Sequence, residues 1–80
     1  MVKEVIRAPR FIHAIKKVDR GYLERIEKLI IKIIEDPELG KPMRFSRKGS
    51  RELYISPFRL SYKVEGDIVY ILDLYHKDEQ

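Results

Sequence analysis

The sequence predicts an α+β domain: two N-terminal helices packed on one face of a mostly antiparallel, twisted sheet of three to four strands. Three observations predict it. An apolar stripe of helical period runs through residues 22–34, an alternating apolar and polar run begins at Phe58, and Glu65-Gly66-Asp67 turns that run into a second apolar one ending at Tyr75. Eighty residues make one domain, residues 1–80. A chain of this length buries only about 60–65% of the surface its unfolded form exposes, so its stability is expected to be modest.

The elements follow in order. Residues 2–7 (VKEVIR) alternate weakly and read as a short strand. Pro9 suits the first turn of a helix, where its missing N–H would have no partner, and Phe11, Ile15 and Val18 then lie at i, i+4 and i+7. Asp19 is placed to cap the next helix with its carboxylate. That helix carries Tyr22, Ile26, Leu29, Ile30, Ile33 and Ile34 on one side, with Glu24, Arg25, Glu27, Lys28 and Lys32 on the other. Asp36-Pro37 ends it, and Gly40 and Pro42 predict irregular chain beyond. Residues 51–55 (RELYI) form a short strand broken at Pro57. Phe58, Leu60, Tyr62 and Val64 alternate with Arg59, Ser61 and Lys63, and residues 68–75 are apolar on both faces apart from Asp73, as a central covered strand would be.

Composition excludes several function classes. With no cysteine, a disulfide framework, a thiolate metal site and a thiol nucleophile are ruled out, and a reducing cytoplasm fits. No apolar run approaches the roughly 20 residues of a membrane span, and no signal peptide is evident, so no membrane partner is expected. Charged residues are 38% of the chain, Asn is absent and Gln occurs once, a skew expected of a thermophile. Residues 1–40 hold nine Lys/Arg against seven Asp/Glu. Residues 41–51 (KPMRFSRKGSR), in contrast, carry Lys41, Arg44, Arg47, Lys48 and Arg51 with no acid, a positive rim suited to a phosphate backbone or an acidic protein. His13 lies off the main apolar stripe of the first helix and is assigned no role.

Three stretches taken in order, GSRELYIS, PFRLSYKV and GDIVYILDLYHK, resemble the RelE/ParE superfamily, the toxins of type II toxin-antitoxin systems. The resemblance spans nearly the whole chain. Its core is an aromatic residue, Arg, an aliphatic, a small or aliphatic residue and Tyr, matched by Phe58-Arg59-Leu60-Ser61-Tyr62, and a basic pair at the end of the last strand is matched by His76-Lys77. It implies metal-independent, cofactor-free cleavage of mRNA, commonly on the ribosome, and a cognate acidic, RelB-like antitoxin as partner. ParE-type relatives instead act on DNA gyrase, and an inactive antitoxin-binding relative is a further alternative.

Such cleavage requires a base for the ribose 2′-OH, stabilisation of the phosphorane and a proton for the leaving 5′-oxygen. The resemblance assigns the phosphate to Arg59, whose guanidinium stays charged and offers parallel donors. His76 suits either proton transfer, and Lys77 is a further cation. Relatives draw further catalytic groups from the preceding strand, where the candidates are Arg51, Glu52 and Tyr54. Many relatives continue to a tyrosine beyond the basic pair; here Asp78-Glu79-Gln80 follows, leaving Tyr75 or Tyr54 as substitutes.

The register of the last hairpin stays open in the sequence. A two-residue turn puts Arg59 on one face with Leu72, Leu74 and His76. A three-residue turn sets Arg59 opposite Asp73, brings Lys77 to its face and sends His76 into or past the core. A bulge would reconcile the two.

Overall fold

A computed structural model describes residues 1–43 and 49–76. The elements are β1 (Glu4–Arg7), α1 (Pro9–Ile15), α2 (Arg20–Glu35), β2 (Lys41–Pro42), β3 (Ser50–Ile55), β4 (Phe58–Glu65) and β5 (Ile68–His76). They build one five-stranded sheet in the order β1-β5-β4-β3-β2. The α+β class and the mostly antiparallel sheet stand, with one correction, to the strand count. The sheet has five strands rather than three to four, because Lys41–Pro42, expected to be irregular, pairs antiparallel with Arg51 and Glu52 of β3. β1 lies parallel to β5. The chain between β1 and β5, which carries both helices and β2 to β4, supplies the crossover that a parallel pair needs.

The stripe on α2 does what its period predicts: Ile26, Ile30 and Ile33 are buried, each worth about 1.5–3 kcal/mol of burial. With Phe11 of α1 they meet Ile55, Leu60, Tyr62, Val69, Ile71 and Leu74, so one face of the sheet carries the core. Asp36 caps the helix C-terminus before Pro37, donating its N–H to the Lys32 carbonyl. Two local expectations are corrected. Asp19 occupies the N-cap with extended backbone but makes no side-chain capping bond, its carbonyl instead accepting the Leu23 N–H at 3.0 Å. α1 stops at Ile15, so Val18 packs from the connecting turn rather than from the helix. Arg7 ties β1 to α2 through Glu27 at 2.7 Å. Among the described residues no helix is long and apolar enough to cross a membrane.

The last hairpin starts in the two-residue register and leaves it at a bulge, without adopting the three-residue one. Gly66-Asp67 is a two-residue turn, with Gly66 at φ 62°, a left-handed conformation that glycine adopts without a Cβ penalty. Glu65 pairs with Ile68 and Tyr62 with Ile71, but beyond a bulge between Ser61 and Tyr62 the partners become Ser61↔Asp73, Leu60↔Leu74, Arg59↔Tyr75 and Phe58↔His76. One extra residue on β5 thus reverses which of its C-terminal side chains lie on Arg59's face.

Candidate active site

The open face of the sheet, opposite the helices, brings together four side chains from three adjacent strands. Glu52 and Tyr54 come from β3, Arg59 from β4 and Tyr75 from β5; Tyr54 lies opposite Arg59 on one side and Tyr75 opposite it on the other. Strand alternation puts all four on one face. Arg59 Nη1 donates to Glu52 Oε1 at 2.7 Å, and the Tyr75 hydroxyl donates to Glu52 Oε2. The Arg59 guanidinium also lies 5.9 Å from the centroid of the Tyr54 ring. Among the described residues, Arg59 Nε is buried without a hydrogen-bond partner. Tyr54 is the most exposed member, at 52%, and its hydroxyl donates to Ser56 Oγ at 3.3 Å.

Beside this cluster the open face forms a trough of about 490 Å³. Ser61, Leu72, Asp73 and Tyr75 line it centrally, with Pro9 and Arg10 towards one end and Met43 and Ser50 towards the other. Asp73 faces Arg10 at 3.6 Å and accepts the Leu74 N–H at 2.8 Å. It does not meet Arg59, as the three-residue register would require.

The expected site residues therefore divide. Arg59, Glu52 and Tyr54 converge. His76 does not join them: it sits opposite Phe58 on the helix side, its ring edge-on to Phe58 at 6.1 Å, and lines a hollow between α1 and the end of β5. Lys77 lies outside the described residues, as do Arg44, Arg47 and Lys48 of the basic stretch. Lys41 is exposed on the edge strand. Arg51 is placed on the helix side opposite Tyr62, where its Nη1 donates to the Gly40 carbonyl at 2.7 Å and the Glu38 carbonyl at 3.2 Å.

Arg51 belongs to a latch that sequence reasoning missed. The Tyr62 hydroxyl accepts the Gly40 N–H and donates to the Pro37 carbonyl, both at 2.8 Å, fastening the exit of α2 to the middle of β4. Burial raises the Tyr62 phenol above its usual 10.0, opposed by the Gly40 hydrogen bond and the Arg51 charge. The latch holds β2 against β3 beside Glu52. The apolar alternation identified Tyr62 as core but carried no signal for its hydroxyl's partners. Tyr75's contact with Glu52 depended on the bulge. Among the described residues no three His, Asp or Glu side chains converge as metal ligands would.

No curated protein matches the sequence. The fold is similar to that of a RelBE2 toxin-antitoxin complex from Mycobacterium tuberculosis, with a TM-score of 0.85 at 20% identity over 96% of this chain and 100% of that one. It is also similar to the intact Escherichia coli RelBE complex, with a TM-score of 0.78 at 18% identity over 95% and 96% of the two chains. For E. coli YafQ the TM-score is 0.76 at 15% identity over 96% and 94%. At these identities the likeness is one of fold. The family model described as the ParE toxin of type II toxin-antitoxin system, parDE, matches residues 1–80, and the chain belongs to that toxin family.

Proposed function

We propose that this toxin cleaves mRNA during translation, using Glu52, Arg59 and Tyr54 on the open face of the sheet. The observation that carries the reading is the Arg59 guanidinium, fixed by Glu52 at 2.7 Å yet left, among the described residues, with an unpartnered Nε. An arginine retained for stability alone is expected to have its buried donors satisfied, because an orphaned one costs about 1–3 kcal/mol. In this reading Arg59 holds the scissile phosphate and stabilises the phosphorane.

Glu52 and Tyr54, two residues apart on one strand and so about 7 Å apart, flank the guanidinium closely enough to serve opposite ends of one in-line phosphate. The Glu52 carboxylate takes the 2′-OH proton, O2′ bonds to phosphorus, the P–O5′ bond breaks, and the Tyr54 phenol protonates O5′. The products are a 2′,3′-cyclic phosphate and a 5′-hydroxyl. Tyr75 is a positioning residue that holds Glu52 through its second oxygen. His76 leaves the proton-transfer role, since the sheet stands between it and Arg59.

The fold neighbours from M. tuberculosis and E. coli are toxin-antitoxin complexes, and we take an acidic, RelB-like antitoxin as the partner here also. The ribosome is the site of cleavage in this reading. A second reading, non-nucleolytic inhibition of DNA gyrase, is favoured by the family's ParE description and by an ion pair that already neutralises Arg59. Cleavage of a translated mRNA and gyrase supercoiling, measured side by side for wild type and Arg59→Ala, separate the two. The nuclease reading expects cleavage to fall roughly 30- to 1000-fold in Arg59→Ala with supercoiling untouched by either protein. Supercoiling inhibition without cleavage by the wild type would overturn it.

A further inference from the structure

We infer that the hollow between α1 and the end of β5, on the helix side of the sheet, is a second nucleotide-binding site, taking one nucleotide of the RNA away from the reacting phosphate. The inference rests on the RNA-cleaving reading and gives it a further subsite. The hollow measures about 440 Å³, within the roughly 300–1,000 Å³ range of small-ligand sites. Its lining combines the two things a nucleotide needs. Arg10 and His13 of α1 and Lys17 of the turn that follows it line one side, with Asp73 as the lone acid among the described lining residues. Phe58 and His76 supply flat rings opposite, set edge to face at 81°. Cations beside aromatic faces are how sequence-tolerant single-strand sites hold a backbone while a base stacks.

The position also suits an RNA strand. Arg10, Asp73 and Tyr75 line both this hollow and the trough on the open face, so the Arg10–Asp73 pair forms the rim between them. A strand whose scissile phosphate lies at Arg59 can pass Tyr75, cross that rim and set a nucleotide further along against Phe58 and His76. This use accounts for the two histidines, His13 and His76, which the chemistry at Arg59 leaves unemployed.

The test uses binding rather than cleavage. The purified toxin is titrated with a single-stranded 2′-deoxy oligonucleotide, which cannot be cut, over a range of salt, and adenosine 5′-monophosphate and inorganic phosphate are followed through the His13 and His76 ring signals by NMR. We expect Lys17→Ala to lower the slope of log affinity against log salt by about 0.7, the value for one phosphate contact on a single strand. His76→Ala is expected to weaken binding about tenfold, as loss of a stacked base would, with less effect on the slope. Lys28→Ala, an equal loss of charge on exposed α2, is expected to leave the slope unchanged. Adenosine monophosphate moving both histidine signals more than phosphate does supports the site; equal effects remove the base from it and overturn the proposal. Parent-like binding by Lys17→Ala and His76→Ala also overturns it, as does an acidic peptide that displaces nothing but binds the hollow where the oligonucleotide does not. If these variants lose oligonucleotide binding while the wild type cuts no mRNA, the subsite stands and the nuclease reading falls. If the wild type cuts and the variants bind and cut as it does, the subsite alone falls.

Discussion

Replacing Glu52 with Gln separates a catalytic carboxylate from a mere counterion of Arg59. The amide keeps the shape and an oxygen able to accept from Arg59 Nη1, and the site lies on the open face, so the fold is expected to survive with a melting temperature within a few degrees of the parent. What is lost is the proton acceptor. A positioned general base contributes about 10²–10⁴ in rate, which is about 3–5 kcal/mol of barrier. Against this runs an opposite effect on binding. With side-chain exposures of 36% for Arg59 and 17% for Glu52, the ion pair is only partly shielded, and freeing the guanidinium from it is worth about 1 kcal/mol or less towards an incoming phosphate. The two effects leave a distinctive signature in single-turnover cleavage on programmed ribosomes: kcat lower by at least about 100-fold and KM unchanged or up to about fivefold lower. The 2′,3′-cyclic phosphate end should vanish in parallel. If Glu52→Gln cuts within about threefold of the parent, or faster, Glu52 is not the base and the proton-transfer scheme fails.

The two tyrosines should differ: Tyr54→Phe is expected to slow cleavage on the order of 100-fold as loss of the acid, whereas Tyr75→Phe, which removes one hydrogen bond to Glu52, costs about three- to tenfold, both read by single-turnover rates. Tyr62→Phe strips the Gly40 N–H and the Pro37 carbonyl of their shared partner and is expected to cost about 2–3 kcal/mol, a fall of about 10–20 °C in melting temperature by calorimetry. Because the folded-state value of Tyr62 is raised, the folded protein holds this proton longer than the unfolded chain, so stability declines as pH rises above about 10; Tyr62→Phe should flatten that alkaline slope in denaturant titrations. Gly40→Ala would set a Cβ 2.9 Å from Tyr62 Cε1 and Oη and 3.0 Å from the Glu52 carbonyl oxygen, and is expected to destabilise by about 1–3 kcal/mol in the same titration.

How far the sequence is legible depends on how local each signal is. α2 is read correctly along its stripe because burial of Ile26, Ile30 and Ile33 follows from a 3.6-residue period alone. The alternation from Phe58 identifies Leu60 and Tyr62 as core and leaves Arg59 on the other side, as found. Contacts set by distant chain are another matter. The pairing of Lys41–Pro42 with β3 was hidden behind a proline and a glycine that argue for irregular chain, whereas Pro42 sits on an edge strand, where a missing donor is tolerated. The parallel placement of β1 depends on a crossover, not on the four residues of the strand. The family resemblance points to Glu52 and Tyr54 as candidates, but their grouping with Tyr75 requires a register that no local pattern fixes.

That register has a physical cause, and it decides which groups the site contains. Continued without a bulge, the pairing that matches Tyr62 with Ile71 would set Leu60 opposite Asp73 and Arg59 opposite Leu74. Leu60 is fully buried beneath the helices, so the carboxylate would enter the core while Leu74 left it. A buried unpaired carboxylate costs several kcal/mol, whereas a bulge sacrifices little more than one ladder hydrogen bond, about 1 kcal/mol. The bulge is therefore the cheaper arrangement: it keeps Leu74 inside and turns Asp73 out to Arg10, and in doing so it delivers Tyr75 to Glu52 and His76 to the helix side. Asp73→Val removes the main penalty on the uninterrupted register. We expect a second set of backbone amide signals for Arg59, Tyr75 and His76 in that variant, with cross-strand contacts between Arg59 and Leu74, and a matching loss of cleavage as Tyr75 leaves Glu52. A single set of signals with Arg59 still opposite Tyr75 would show that the packing of Leu74, and not the exclusion of Asp73, holds the site in register.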